Sequence, residues 1–253
     1  MKNKTTMPHK NLVFIHGAWV SGWGWSALKP YFDGAEYHCY WLNLPGSQSK
    51  EESLESRASL NDYIAHVYDL IDELDEPVWL IAHSGGGLTA TAVAEARPDM
   101  VSGIIYAAGM MLPSGMSYGE ISSKVGQRDN IDISGISTYL KKTKYGSYVD
   151  SLDGIKKIFL QDVSDEIISE IAQKMVVQPD ESRLVSVTLT NERAGKIPKF
   201  YIEASNDNSI LLTVQKEMQS LTKVDKTVSL DCGHFPQVVM PEELSIIIKD
   251  FVL

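Results

Sequence analysis

The 253-residue chain is 43% hydrophobic and 22% charged, ordinary proportions for a globular protein, with room for one large α/β domain or a domain carrying an insertion. Its formal net charge of -10, with no cluster of Lys and Arg, argues against nucleic acid or an anionic membrane as a partner and weakly against a polyanionic substrate. Two cysteines, Cys39 and Cys232, suggest no disulfide framework, and a metal site would need more ligands than these.

Residues 1–6 are polar and run straight into a strand, and no apolar run reaches the ~18 residues of a membrane span, so a cytoplasmic location is expected. Residues 11–15 (NLVFI) read as a buried strand, ending in His16-Gly17-Ala18-Trp19 and followed by a helical stretch through Leu28. Residues 37–44 form a second strand, and Pro45-Gly46-Ser47 opens a polar loop to about Leu54. From Leu60 to Leu74, apolar Tyr63, Ile64, Val67, Leu70, Ile71 and Leu74 recur at helical spacing. Residues 78–82 form a strand buried on both faces, Leu88 opens a helix that Arg97-Pro98 breaks, and 101–108 is another apolar strand. This alternation predicts right-handed crossovers and a mostly parallel, doubly wound sheet.

After Leu112 the alternation stops. Residues 113–192 read as short helices without strand signals, the clearest marked by Ile167, Ile168, Ile171, Ala172 and Met175. Beyond Lys196 the pattern returns: strand 199–203, helix 211–221, strand 226–230 and helix 241–252. The expected organisation is an α/β core in two parts, 1–112 and 193–253, interrupted by a helical cap over 113–192.

Three core loops carry residues suited to acyl chemistry. Ala82-His83-Ser84-Gly85-Gly86 joins a buried strand to a helix in the form small-x-Ser-x-Gly, a turn so tight that only small side chains fit two positions either side of the serine. Such a turn lifts Ser84 to the carboxyl end of the sheet. A serine needs a base to take its proton. Of the six histidines, His9, His38 and His66 sit in a tail, a strand and a surface helix, and His83 neighbours Ser84 with its side chain pointing away. His234, in the loop after the last strand, converges on the same sheet edge. A carboxylate to orient it is expected between serine and histidine in chain order. The loop after the strand ending near Ala108 has no acid, whereas Ser205-Asn206-Asp207 offers Asp207. Glu203 lies within a strand, and Asp231 is close enough to His234 to be shaping the loop. Donors for a developing oxyanion are available at Gly85 N–H and in the Gly17-Ala18 turn.

These residues together resemble the α/β-hydrolase superfamily, and more narrowly the group of plant methyl esterases, hydroxynitrile lyases and related bacterial esterases. The likeness rests on Phe14-Ile15-His16-Gly17-Ala18-Trp19 with Gly-Trp close behind, Leu28-Lys29-Pro30, the 82–87 turn, Ser205-Asn206-Asp207 and Gly233-His234. It covers nearly all of the core and thins over the insertion to scattered positions such as 162–166. It implies a triad of Ser84, His234 and Asp207, an oxyanion hole from the backbone of Ala18 and Gly85, and a cap over the substrate. Ala82 departs mildly from the glycine of the pattern. Hydroxynitrile lyases carry a threonine and a lysine where this chain has Gly17 and Phe235, so ester hydrolysis is favoured over cyanide release. The expected reaction is hydrolysis of a small-molecule ester, hydrophobic or aromatic given the Met, Ile and Leu of the insertion and the neighbouring Trp19 and Phe235, with no metal or cofactor. Lyase chemistry and a non-hydrolytic small-molecule receptor on the same fold are the alternatives. Monomer and homodimer are both left open.

Overall fold

The computed structural model describes residues 9–34 and 36–253, so the polar start over 1–6 lies outside the described residues. Strands β1 (Lys10–Ile15), β2 (Tyr37–Trp41), β3 (Val78–His83), β4 (Val101–Ala107), β8 (Lys199–Ala204) and β9 (Lys226–Leu230) make one sheet in the order β2-β1-β3-β4-β8-β9. Every neighbouring pair is parallel. The chain runs outward from β1 to β2 and then returns to pair β3 with the other side of β1. The loops after β1 and β3 therefore leave the sheet in different directions and open a crevice at its carboxyl edge.

Each sheet face is covered by its own apolar layer. On one side, α2 (Leu60–Leu74) and α3 (Gly86–Ala96) bury Tyr63, Val67, Ile71, Leu88 and Val93 against Val13, Leu80 and Ile104. On the other, a 3₁₀ stretch at Gly22–Phe32 and helix α9 (Pro241–Val252) set Trp25, Leu28, Leu244 and Ile248 against Leu12, Phe14, Ile81 and Ile202. Helix α2 has the predicted bounds because periodicity and capping agree: Ser59 accepts from Asp62 N–H, and the Asp62 carboxylate accepts from Ser59 N–H. Helix α7 (Leu212–Leu221) and the short α8 (Pro236–Val239) complete the core.

Three elements differ from expectation. The loop after Pro45 contains α1 (Lys50–Glu55), capped by Ser49. Its one large apolar residue, Leu54, is exposed, whereas Ser53 is buried and its Oγ accepts Val177 N–H at 2.9 Å, so hydrophobic periodicity carried no sign of it. Strand β2 stops at Trp41 rather than Leu44, because Leu44 N–H turns to His16 Nε2 at 3.1 Å. The stretch 113–192 is not helical throughout. Besides α4 (Tyr118–Asp129), α5 (Leu152–Gly154) with a π turn to Phe159, and α6 (Asp165–Lys174), it holds an antiparallel sheet of β5 (Leu140–Lys142), β6 (Gly146–Val149) and β7 (Gln178–Pro179). Those strands are too short to show an alternating pattern. Among the described residues no helix is long and apolar enough to cross a membrane.

Candidate active site

The turn after β3 holds Ser84 at φ 50°, a left-handed conformation that costs a non-glycine residue free energy. Hydrogen bonds to the end of β4 fix it there: Met110 N–H donates to Ser84 C=O at 2.8 Å, and Ser84 N–H reaches Ala107 C=O at 3.4 Å. Backbone crowding explains the small neighbours. A Cβ at Gly86 would stand 2.6 Å from the carbonyl oxygens of Ile15 and His16.

Loops from two other strands meet this serine. After β8, Asp207 turns its Oδ1 to the backbone N–H of Ser209 (2.7 Å) and Ile210 (2.9 Å), leaving Oδ2 to face His234. After β9, His234 stands with Nδ1 2.7 Å from Asp207 Oδ2 and Nε2 3.0 Å from Ser84 Oγ. An ionised carboxylate only accepts, so Nδ1 carries the proton and Nε2 is free to accept from the Ser84 hydroxyl. All three side chains are buried, at 7%, 2% and 3% exposure for Ser84, His234 and Asp207. The structure thus brings the three predicted side chains into one chain of hydrogen bonds. Glu203 instead accepts from Gln219, and Asp231 accepts from Ser205 Oγ and Asn206 Nδ2, shaping the loop beside Asp207.

The two predicted backbone donors also lie together. A Cβ on Gly85 would be 3.8 Å from Ala18 N, and among the described residues neither N–H is spent on a protein acceptor. Ala18 is held from both sides. His16, before the turn, gives its Nδ1–H to Gly17 C=O (2.8 Å), while its Nε2 accepts Leu44 N–H; burial pulls its pKa down to about 4, so the ring is neutral. Trp19, at φ 62°, donates Nε1–H to Ser147 C=O at 3.0 Å, and its own C=O accepts Val176 N–H at 3.0 Å.

Several contributors were invisible in the sequence. The reading that set His83 aside misses its contact: its ring packs 4.8 Å from that of His234, and Nε2 donates to His234 C=O at 2.7 Å. Full burial holds His83 well below the usual histidine pKa. From the insertion, Phe159 stacks on His234 (5.3 Å, 24°), Asp162 accepts Gly233 N–H (2.6 Å), Gln161 donates to Asn206 C=O (2.6 Å), and Lys157 C=O accepts from Asn208 Nδ2 (2.8 Å). Each hydrogen-bond partner is 45 or more residues away along the chain, beyond any local pattern.

The space beside the two N–H donors is small, about 10 Å³, room for one water molecule. It is lined by Leu44 but also by polar Tyr63, Thr89, Gln178, Ser182 and Arg183, so this side is less apolar than expected. Trp19 and Phe235, expected as apolar walls, pack with Phe159, Ile155, Leu160 and Val20 in a separate cluster. Among the described residues no group of three or more His, Cys, Asp or Glu is placed to hold a metal ion.

Residues 12–245 match the sequence profile of the alpha/beta hydrolase family. The chain is 25% identical over 248 residues to a pyrethroid hydrolase of Sphingobium wenxiniae, covering 95% of this chain and 87% of that protein. It is 24% identical over 245 residues to putative methylesterase 11, chloroplastic, of Arabidopsis thaliana, a match to 92% of this chain that spans 62% of the longer plant protein. A solved pyrethroid hydrolase from Sphingobium faniae superposes with a TM-score of 0.81 at 23% identity, over 96% of this chain and 97% of that one, a likeness of fold.

Proposed function

The chain belongs to the alpha/beta hydrolase family, and from that premise we propose that it is a carboxylesterase-type serine hydrolase in which Ser84, His234 and Asp207 act as the catalytic triad. The observation that carries this is the buried Ser84–His234–Asp207 chain, with bonds of 3.0 and 2.7 Å that set His234 Nε2 on the serine and Nδ1 on the carboxylate. The names of the relatives, a pyrethroid hydrolase and a methylesterase, agree with ester hydrolysis.

In the first half-reaction Ser84 Oγ attacks the ester carbonyl carbon as its proton passes to His234 Nε2. The carbonyl oxygen becomes an oxyanion received by Ala18 N–H and Gly85 N–H, donors fixed in advance by the bonds around His16, Trp19 and Ser84. Asp207 stabilises the imidazolium and holds its orientation. His234 then gives its proton to the leaving alkoxide oxygen, and the C–O bond breaks to leave an acyl-serine. Water attacks that acyl group, His234 takes its proton, and collapse returns the proton to Ser84 with release of the acid. His83 and Phe159 hold the imidazole plane through their ring contacts. Residues 113–192 serve as a cap over the substrate, contributing Gln178, Ser182 and Arg183 to the cavity wall. Phe235, where a lyase would need a cation, is buried and apolar, which supports hydrolysis.

The test is turnover of short-chain and aromatic p-nitrophenyl and methyl esters by wild type and Ser84→Ala. Hydrolysis by the first that vanishes in the second supports the assignment. Equal activity in both removes it.

A further inference from the structure

Arg183 has an environment unlike that of any other arginine in the chain. Arg57, Arg97, Arg128 and Arg193 are each bonded to an acceptor: Tyr145 hydroxyl, Asp72, the pair Asp129 and Glu217, and the carbonyls of Glu95 and Ala96. Arg183 lies in the cavity wall beside Ala18 and Gly85, its Nε is buried, and it has no hydrogen-bond acceptor and no ion pair among the described residues. Its guanidinium lies 4.9 Å from the centre of the Trp19 ring, a contact that fixes its plane but accepts no hydrogen bond.

The neighbouring polar groups are occupied with one another. Gln178 Nε2 donates to Tyr63 Oη at 3.1 Å and to Ser182 Oγ at 2.6 Å, and Ser182 Oγ donates to Pro179 C=O at 2.8 Å. Arg183 is only partly buried, but its buried Nε has no acceptor, and a site that leaves a planar donor fork unspent at a cavity wall is matched to a carboxylate.

Resting on the esterase reading, we propose that Arg183 recognises a carboxylate that the substrate carries in addition to its ester, so that the preferred substrates are half-esters of dicarboxylic acids. The carboxylate lies on the Tyr63–Arg183 side of the cavity, while the reacting carbonyl sits against Ala18 and Gly85. The net charge of -10 offers an anion no long-range attraction, so the preference is expected to reside in this one cation of the cavity wall.

The test compares kcat/KM for mono-p-nitrophenyl glutarate with that for p-nitrophenyl valerate, an uncharged ester of equal acyl length. Wild type should favour the charged ester, and in Arg183→Leu the ratio should fall on the order of 10- to 100-fold, the worth of a charge-assisted pair. Arg183→Lys, which keeps the charge but not the fork, should recover part of it. A ratio unchanged in Arg183→Leu, or a wild type that prefers the valerate, overturns the proposal. Calorimetry on Ser84→Ala separates this outcome from failure of the hydrolase reading: monomethyl glutarate should bind more tightly than dimethyl glutarate, and adding Arg183→Leu should abolish the difference. Equal affinity of the two esters for Ser84→Ala refutes the role of Arg183, whatever the turnover.

Discussion

Replacing Asp207 by Asn tests the triad at its most constrained point. Oδ1 of Asp207 accepts two backbone N–H groups, from Ser209 and Ile210, and both need an oxygen there. The carboxamide introduced by Asp207→Asn can satisfy them only with its oxygen in that position, which turns its NH₂ toward His234 Nδ1. Two donors cannot face each other across 2.7 Å, so His234 must move its proton to Nε2. The imidazole then presents N–H to Ser84 and cannot act as its base. The expected loss in kcat/KM is on the order of 10⁴-fold, or about 5 kcal/mol of transition-state stabilisation. Stability should barely change, because the new amide–imidazole hydrogen bond replaces the old one at the same place. Asp207→Ala instead strands the Ser209 and Ile210 N–H groups, of which Ile210 is buried, and should cost about 2–4 kcal/mol of folding stability besides activity. Initial rates on a p-nitrophenyl ester and urea unfolding of both variants give the answer. An Asp207→Asn enzyme within tenfold of wild type, or one destabilised as much as Asp207→Ala, would refute the reasoning.

Gly17→Ala should lower kcat by about 10- to 100-fold, since the added Cβ would stand 2.7 Å from Ser84 Cβ and must displace either the nucleophile or the Ala18 donor; full activity in steady-state assays would contradict this. His16 is neutral when folded, with a pKa near 4 against 6.5 unfolded, so below pH 6.5 the unfolded chain binds the extra proton and stability falls as the pH falls. Its contribution between pH 7 and pH 5 is a loss of about 2 kcal/mol, readable by urea unfolding at the two pH values, and His16→Asn should show less pH dependence than wild type. Asp162→Ala removes the acceptor of Gly233 N–H and should slow turnover about 3- to 30-fold through misplacement of His234, with little change in thermal midpoint. An unchanged kcat would mean that the His234 loop holds its position without the insertion.

The legible part of the molecule is the part whose cause is local. Helix α2 could be read because apolar spacing and a capping box coincide within its own residues, and the Ser84 turn because a strained backbone demands small neighbours two positions away. Asp207 and His234 could be read because parallel strands deliver their following loops to one edge, so chain order stands in for space. What escaped depends on partners far along the chain. Ser53 gives no apolar signal, yet it anchors α1 to Val177; His83 looks idle until its ring is seen against His234; and the strands β5–β7 are fixed by pairings such as Gly146 with Pro179. Arg183 is the sharpest case, since the role proposed for it rests on contacts it does not make.

Those distant contacts also divide the loops of the proposed site into two kinds. The Ser84 turn is held by the core alone, through Ala107 and Met110 at the end of β4. The other three loops are tied to the insertion: Trp19 to Ser147 and Val176, Asn206 and Asn208 to Gln161 and Lys157, and Gly233 to Asp162. Those bonds help fix the positions of His234 and of the Ala18 N–H, so any displacement of the insertion on ester binding would strain them. On the proposed mechanism the nucleophile is thus placed by the core, while its base and one oxyanion donor are placed in part by the insertion.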